Sequence, residues 1–468
     1  MSPKSIFLAA LVSGALAHAQ FGRGGGDWLD AGGDAQRSGA VRTDAHMSVE
    51  LAEKGGITFQ WKQKLSGVPS PSVVASRLIT YKGFKDLMFV ATNNDIVYSI
   101  DHPFPKIFWE KHMPFNSLEV QAKTATATCP VGMTSSLALA APLAPPVPNQ
   151  GRGGRGGPPM PGAAGRGGMA QAAPVPTLPR PRRTPATVFA LSSDGLLHVL
   201  NQHTGEDVVP AARFIRANAK VRDLMSVNNV IYTATVDNCG GAPNGVWALD
   251  LADNMVYEYK TGDTMVAGMA FGSDGTLYAS TDKGMLALEQ KTLKLKMQRD
   301  GSYVTAPAVF KIGEKEFIAA GNEHGHLLVL DAKLELVGNA PGAGKLSSLA
   351  TWEDADKVRW LLAARGSAIQ AYKVSDVGAL EAAWTSKDMV SPAAPIIDNG
   401  VVFALSSGSR TAPAVLYALN IASGKELWSS GKSITGYSTA ALSAGASKIY
   451  VGTHDGMLYA FGYTLPRE

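Results

Sequence analysis

The stretch that decides the fold is AVLYALN, Ala414 to Asn420, followed by SGKELW, Ser423 to Trp428. In the first part, aliphatic residues alternate with small or aromatic ones, which is the period-2 pattern of a half-buried strand. A Gly-containing turn then leads into a second short run that ends in Trp. Because Gly tolerates the positive φ that tight turns need, the two runs are predicted to be antiparallel strands joined by a turn.

The same phrase recurs along the chain as NNDIVYSID, SDGLLHVLN, NGVWALD, DKGMLALE, HGHLLVLD, GSAIQAY and HDGMLYAF. These copies begin at Asn93, Ser193, Asn244, Asp282, His324, Gly366 and His454. A period of roughly 35 to 45 residues with about four strands per unit is typical of β-propeller blades. The sequence therefore predicts an all-β chain folded as a single eight-bladed β-propeller. A seven-bladed ring is the alternative if one weak unit is miscounted.

The predicted blades span residues 70–112, 127–214, 219–260, 263–298, 303–338, 345–386, 390–430 and 436–463. The last of them has three strands and lacks the Trp-bearing fourth. Residues 57–62 form a strand containing Trp61 with no blade of its own before it. We expect this N-terminal strand to complete the last blade, which closes the ring and removes its open edges. The residues predicted to pack between blades, rather than stack on a ligand, are Trp61, Trp109, Trp384 and Trp428.

Residues 1–19 have the composition of a signal peptide: Lys4, an apolar run and a small-x-small end at Ala19. The apolar run is too short to cross a bilayer. We expect a 20–56 N-terminal extension, a 57–463 propeller and a 464–468 tail, exported to the periplasm or secreted. No Cys stands directly after Ala19 to accept a lipid. Any membrane association is therefore expected to go through a partner.

Residues 143–184 interrupt the second blade with Gly, Pro and Arg-rich sequence that has few large apolar side chains. Such a segment cannot bury enough surface to order itself, so we predict a disordered insert. Its Arg-Gly-Gly phrases resemble RNA-binding tails, but in an exported protein a solvated insert touching an anionic envelope surface is favoured. The net charge of the whole chain is only +4. No nucleic-acid partner is predicted.

The chain has two cysteines, Cys129 and Cys239. In an oxidising compartment such a pair is more often a disulfide than a metal site. The blade register places Cys129 before the innermost strand of the second blade and Cys239 between the middle strands of the third, and these loops open on one face. We predict a disulfide, with two free or buried thiols as the alternative. Asp237 and Asn238 beside Cys239 are candidate polar residues on the face where the channel opens.

Other polar residues offer only weak signals. Acidic and amide residues in the turns could supply the oxygen ligands of Ca²⁺, but ordinary capping of hairpin turns is favoured. These residues are Asp34, Asn93, Asn94, Asp95, Asp237, Asn238, Asp274 and Glu323. His324 and His326 have a spacing that could ligate a transition metal, but no third ligand is evident. His454 occupies the matching turn of the last repeat. No catalytic residue, metal site or cofactor is therefore predicted.

The phrase from Trp28 to Gly39, with its Gly-Gly-Asp-Ala-Gln-Arg core, together with the repeats, resembles the PQQ-repeat (quinoprotein-like) propeller superfamily. The resemblance implies an eight-bladed ring whose Trp residues pack between blades. In one branch, alcohol and sugar dehydrogenases hold PQQ and Ca²⁺ at the centre, use an Asp as base and commonly carry an adjacent Cys-Cys disulfide. This chain has no Cys-Cys pair and no Cys-x-x-Cys-His haem site. The other branch is the propeller lipoprotein of the outer-membrane β-barrel assembly machinery, a non-enzymatic scaffold whose lipidated Cys is missing here.

The sequence favours a monomeric binding or scaffolding module of the cell envelope, which holds a protein or an envelope polymer. The alternative is a PQQ- and Ca²⁺-dependent quinoprotein dehydrogenase that oxidises an alcohol or a sugar. The two differ at the ring's centre. A dehydrogenase needs carboxylate, Asn and Arg groups converging on a cavity that admits a flat tricyclic cofactor.

Overall fold

The structure is a computed structural model that describes residues 27–41, 44–113, 126, 128–130, 132–141, 143 and 186–463. The predicted signal peptide, the tail and, except for Leu143, the predicted insert lie outside the described residues. Regular structure in the described part is β-strand apart from one helix, Val49–Glu53, and one 3-10 turn, Cys239–Gly241. No helix there has the length and apolar composition needed to cross a membrane.

The strands pair into four-stranded antiparallel units, numbered here as blades 1 to 8. From the innermost strand outward, blade 1 contains Val73–Thr80, Gly83–Thr92, Ile96–Asp101 and Lys106–His112. Blade 2 contains Ala138–Ala141, Thr187–Leu191, Leu196–Asn201 and Ala212–Arg213. Blade 3 contains Lys220–Val227, Val230–Val236, Asn244–Asp250 and Val256–Gly262. Blade 4 contains Val266–Phe271, Leu277–Thr281, Gly284–Leu288 and Leu295–Asp300.

The second half of the ring repeats this arrangement. Blade 5 contains Ala308–Ile312, Lys315–Gly321, Leu327–Asp331 and Leu336–Ala340. Blade 6 contains Leu346–Glu353, Arg359–Arg365, Ala368–Val374 and Leu380–Thr385. Blade 7 contains Ile396–Asp398, Val401–Ser406, Val415–Asn420 and Glu426–Ser429. Blade 8 contains Ser443–Gly445, Lys448–Gly452, Met457–Tyr463 and, as its outermost strand, Ile57–Lys64.

The N-terminal strand closes the ring, as predicted. Ile57–Lys64 pairs antiparallel with Met457–Tyr463, with Trp61 opposite Ala460. Ser72, just before blade 1, donates its backbone N–H to Ser443 Oγ of blade 8 at 3.3 Å. Blades 2 and 3 are also joined into one eight-stranded sheet by a short parallel pairing of their innermost strands. The strands Ile57–Lys64 and Met457–Tyr463 therefore share one blade, which closes the ring.

Burial follows the position of each strand in its blade. All seven residues of Val230–Val236, a middle strand, are buried, because neighbouring blades cover both of its faces. The outermost strand of the same blade, Val256–Gly262, alternates between half-buried and exposed residues. Alternation of apolar and polar residues is therefore typical of the outer strands, and continuous apolar runs are typical of the middle strands.

The four tryptophans considered above each contact the next blade. The indole N–H groups of Trp61, Trp109 and Trp384 donate to the backbone carbonyls of His102 (2.7 Å), Gln202 (2.9 Å) and Ile421 (2.6 Å). The ring of Trp428 lies 5.7 Å from that of Phe461 in blade 8. Three of these contacts thus join an indole to a backbone carbonyl across a blade interface, and the fourth is a ring–ring contact.

We expect Gly424→Ala to test this inter-blade contact. Gly424 has φ +70°, and a Cβ there would lie 2.6 Å from the indole of Trp384. The loss in unfolding free energy should be about 2–4 kcal/mol, the sum of left-handed strain and overpacking. Gly431 is the matched control, because it also has a positive φ, 54°, but open space around a Cβ. Gly431→Ala should cost about 1 kcal/mol in urea unfolding, and equal losses for both variants would contradict the contact's role.

Candidate functional site

The centre of the ring is occupied by the chain's own residues 28–41, called here the axial segment. Its backbone bonds to the innermost strands of successive blades. Trp28 exchanges two hydrogen bonds with Val74 of blade 1, and the Leu29 carbonyl accepts from Leu139 N–H of blade 2 at 2.7 Å. Further along the segment, the Ala35 carbonyl accepts from Phe271 N–H of blade 4, and the Gln36 carbonyl from Val309 N–H of blade 5. The Ser38 carbonyl accepts from Thr351 N–H of blade 6, and the Gly39 carbonyl from Ile397 N–H of blade 7. The segment therefore crosses the channel and ties six blades together through its backbone.

Blade 3 is reached through a side chain. Arg37 Nη1 lies 2.8 Å from Asp223 Oδ1, and both side chains are largely buried. Burial alone would lower the pKa of the Arg37 guanidinium, but Asp223 beside it raises that pKa above its ordinary value. A buried pair of this kind is costly to break, because the remaining charge has no partner.

The Gly-Gly-Asp part of the segment is a tight turn under Trp28. Gly33 has φ +91°, and a Cβ on it would lie 2.9 Å from the Trp28 ring. Asp30 Oδ1 accepts from Gly32 N–H at 2.8 Å, and the Asp34 carboxylate accepts from the N–H and hydroxyl of Ser38. Small residues and short acids thus let the chain turn within the narrow channel. The tight turn therefore accounts for the Gly-Gly-Asp composition of this part of the segment.

The cavity beside the axial segment does not fit PQQ. Its volume is about 170 Å³, and Trp28, Gly32, Arg37, Arg222 and Ser347 are among its lining residues. Pockets that hold small organic ligands are typically about 300–1,000 Å³. The Arg37 cation is already paired with Asp223. The space that a flat tricyclic cofactor requires is therefore missing beside the axial segment in the described channel.

Buried polar atoms nevertheless remain on the axial segment. Trp28 Nε1, Asp30 Oδ2 and Gln36 Oε1 have no hydrogen-bond partner among the described residues. Burial raises the pKa of the Asp30 carboxyl to about 8, with Arg37 acting in the opposite direction. Asp30 is therefore mostly protonated at neutral pH.

We expect Asp30→Asn to change the pH dependence of stability. The folded-state pKa is raised, so the unfolded chain loses this proton near 3.8 while the folded protein keeps it up to about pH 8. Asp30 consequently costs stability as the pH rises from about 4 to 8. The neutral amide removes that cost, so the variant should gain over the wild type as the pH rises. Urea midpoints across this range measure it. Asp263→Asn, at an exposed position, is the control, and a pH-independent difference at Asp30 would contradict the assignment.

Cys129 and Cys239 form a disulfide, with an S–S distance of 2.00 Å and a Cα–Cα distance of 5.4 Å. Asp237 lies 2.6 Å from Lys220 Nζ in an ion pair. Asn238, at φ 50°, exchanges hydrogen bonds with Asn244 across the same loop. Both side chains therefore order the loop that carries Cys239.

The turn acids and amides stay apart. Asn93 accepts from Val68 N–H, Asp95 from Ser193, and Asp274 from Thr276. Asp34 lies in the axial segment, and Glu323 lies 3.7 Å from His324 at the surface. His326 donates its backbone N–H to Asn322, and His454 stacks on Tyr437. In the described part of the chain no three His, Cys, Asp or Glu side chains are placed to hold a metal ion.

A groove of about 640 Å³ lies between blades 4, 5 and 6 and is called here the rim groove. Sequence reasoning missed it. Its apolar lining is Tyr278, Met297, Phe317, Val337 and Val377, and its charged lining is Asp274, Lys296, Lys311, Glu314, Lys315, Glu316, Asp331 and Lys333.

The groove lies where the inter-blade tryptophans are replaced. In blades 1, 6, 7 and 8 the Trp follows a bulge in the outermost strand, opposite a small residue of the adjacent strand. At the same register position blade 4 has Met297, opposite Ala287, and blade 5 has Gly338, opposite Val329. Both outermost strands therefore lack an indole at this position. Met297 lines the rim groove, whereas beside Gly338 the space is filled by the backbone carbonyl of Gly378 in blade 6.

Charges of both signs surround the apolar floor of the rim groove. Glu316 accepts from Ser273 N–H at 2.7 Å, and Lys296 lies 3.6 Å from Asp274. Lys311 and Lys333 have no ion-pair partner among the described residues. Burial, with help from Glu316, Asp274 and Asp331, raises the pKa of the Tyr278 phenol, which stays neutral. The groove thus presents apolar and charged groups side by side.

Comparison with known proteins gives structural matches only, since no family model and no curated protein matches the chain. The quinohemoprotein alcohol dehydrogenase from Comamonas testosteroni has a TM-score of 0.61 at 13% identity, over 95% of this chain and 82% of that one. A europium-containing methanol dehydrogenase has a TM-score of 0.63 at 12% identity, over 94% and 98%. BamB from Moraxella catarrhalis has a TM-score of 0.53 at 13% identity, over 87% and 100%. At these identities the likeness establishes the fold, so the chain has the fold of the PQQ-repeat, quinoprotein-like β-propellers.

Proposed function

We propose that this protein is an exported, non-catalytic propeller that binds an extended segment of a partner protein in the rim groove. The observation that carries the proposal is the groove itself, about 640 Å³ in volume, with an apolar floor between charges of both signs. A polypeptide offers matching apolar and charged groups. Rigid blades hold the two walls of the groove in place, which reduces the entropy lost on binding.

The likeness to the two dehydrogenases supports a quinoprotein oxidoreductase as the competing function. The axial segment argues against it, because its backbone occupies the ring's centre and leaves about 170 Å³ beside it. The likeness to BamB is compatible with a binding role. PQQ chemistry is therefore not part of the proposal.

The test is to fill the rim groove with the indole that other interfaces contain. Met297→Trp places it at the position that Trp384 has in blade 6. Leu334, buried and at φ 63°, occupies the turn position that Gly424 has opposite Trp384. The double variant Met297→Trp/Leu334→Gly is called here the groove-filled variant. It should therefore restore an inter-blade contact without unfolding the ring. Its unfolding midpoint, measured in urea, verifies that it is folded.

Peptides selected from a random display library on the wild-type protein are the probe. We expect selected peptides to lose affinity about tenfold or more on the groove-filled variant, because truncating or blocking a central contact has effects of that order. Lys315→Glu, at the groove's edge, should also weaken them. Lys432→Glu, an exposed lysine outside the groove, is the matched control. Failure to select peptides, or equal affinity for the groove-filled variant, would overturn the proposal.

A further inference from the structure

Blade 1 carries exposed apolar side chains at the end of a long hairpin. Its two inner strands have 8 and 10 residues, compared with 6 and 5 in blade 4. Ile79, Tyr81 and Phe84 on this hairpin are 65%, 70% and 77% exposed, and Phe104 in the adjacent turn is 71% exposed. These four residues are called here the aromatic tip. Exposed apolar clusters of this kind mark interaction surfaces.

The aromatic tip is ordered by local contacts. Ile79 lies directly opposite Phe84 across the hairpin. Thr80 Oγ1 donates to the Gly83 carbonyl at 2.8 Å and accepts from Lys82 N–H at 3.1 Å, which closes the turn. The ring of Tyr81 lies 5.9 Å from that of Phe108. These contacts fix the turn, while Ile79, Tyr81 and Phe84 remain largely exposed.

The charge at the aromatic tip is positive. Lys82 Nζ lies 5.1 Å from the Tyr81 ring centre and 4.9 Å from that of Phe108. Lys82 and Lys106 are exposed, and neither has a carboxylate partner among the described residues. The nearby Asp101 is already paired with Lys85 at 2.6 Å. Apolar groups and unpaired cations thus project together from one end of blade 1.

We propose that the aromatic tip docks on the anionic surface of a lipid bilayer. Aromatic side chains are suited to the boundary between headgroups and acyl chains, and lysines beside them are attracted to anionic lipids. The tip projects from the blade, so it can enter an interface but cannot enclose a ligand. This contact needs no lipid anchor and no partner protein, and it replaces the expectation from the sequence that any membrane association goes through a partner. It is also independent of the rim groove, whose blades 4, 5 and 6 are three or four positions away around the ring.

Co-sedimentation with phospholipid vesicles tests this assignment. The wild type should bind vesicles containing phosphatidylglycerol, should bind poorly to pure phosphatidylcholine, and should be released by salt. Tyr81→Ser/Phe84→Ser should lower the partition coefficient about tenfold through lost apolar contact. Lys82→Glu should lower it about tenfold or more. Lys432→Glu and the groove-filled variant should bind as the wild type does.

A second readout reports the position of the tip. Phe84→Trp should give an emission spectrum that shifts to the blue with anionic vesicles and is quenched by brominated lipids. No binding to anionic vesicles, or binding unchanged by Tyr81→Ser/Phe84→Ser, would overturn the inference. So would loss of vesicle binding in the groove-filled variant alone. Peptides that lose affinity on Tyr81→Ser/Phe84→Ser, without any vesicle binding, would assign the tip to a protein partner instead.

Discussion

We expect Trp28→Ala to lower the free energy of unfolding by about 3–5 kcal/mol, the range found for deleting a buried aromatic ring. Trp28 is only 2% exposed, and its ring covers the turn at Gly33. Its backbone also joins the axial segment to blade 1 at Val74. Losing the ring leaves a cavity at the point where the segment enters the channel. Every blade that the segment contacts should lose support together.

Urea unfolding followed by fluorescence and by circular dichroism measures this effect. The two probes should shift to the same lower midpoint, because the axial segment connects blades around the ring. Phe84→Ala is the control, since that ring is 77% exposed and its loss should change stability by no more than about 0.5 kcal/mol. A Trp28→Ala midpoint within the control's range would show that the axial segment contributes little.

Removing the Cys129–Cys239 disulfide should have an effect of similar size. The bond closes a loop with a sequence separation of 110 residues, and it ties the connection before blade 2 to a loop of blade 3. A crosslink of that span restricts the unfolded chain by about 4–5 kcal/mol in the chain-entropy model, and native disulfides typically contribute about 2–5 kcal/mol. We therefore expect Cys129→Ser/Cys239→Ser to lose about 3–5 kcal/mol.

Reduction gives an independent measurement of the same quantity. Wild-type protein in dithiothreitol should unfold at the midpoint of the double variant, whereas the variant itself should not respond to the reductant. If oxidised and reduced wild type unfold at the same urea concentration, the disulfide does not stabilise the fold.

The blades could be predicted because their signal is local. Each contains a turn followed by an alternating run such as Val415–Asn420, and period-2 alternation depends only on neighbouring residues. The closing strand was predictable for a related reason. The last repeat lacks a Trp-bearing strand, and the segment around Trp61 is a strand without a blade. The cysteine pair was predicted from the expected oxidising compartment, and the blade register, which brings two distant loops to one face, supported it.

The axial segment could not be predicted in the same way. Its sequence supplied a family resemblance, but Gly32, Gly33 and Ala35 carry no apolar pattern. Its contacts with six blades are backbone hydrogen bonds, which any residue except proline can make. Nothing in the residue types therefore shows that the segment crosses the channel.

The rim groove and the aromatic tip could not be predicted from the sequence. The groove depends on a missing tryptophan, and the tip depends on which side chains face solvent. Met297 lines the groove at the position where blades 1, 6, 7 and 8 have Trp, and this is visible only once strand register is known. The run from Ile79 to Phe84 has the alternation of an ordinary strand. Because alternation alone does not show which face of a strand is covered, the sequence did not predict that these side chains face solvent.

Titration of the mature protein with PQQ and Ca²⁺ tests the central claim most directly, because it asks whether the channel is available to a cofactor. Binding is followed by calorimetry and absorbance, and turnover by dye-coupled alcohol oxidation, with a reconstituted quinoprotein dehydrogenase as positive control. With the axial segment in place, we expect neither a saturable binding signal nor dye reduction above the protein-free rate. Stoichiometric PQQ binding with alcohol-dependent dye reduction would contradict the account.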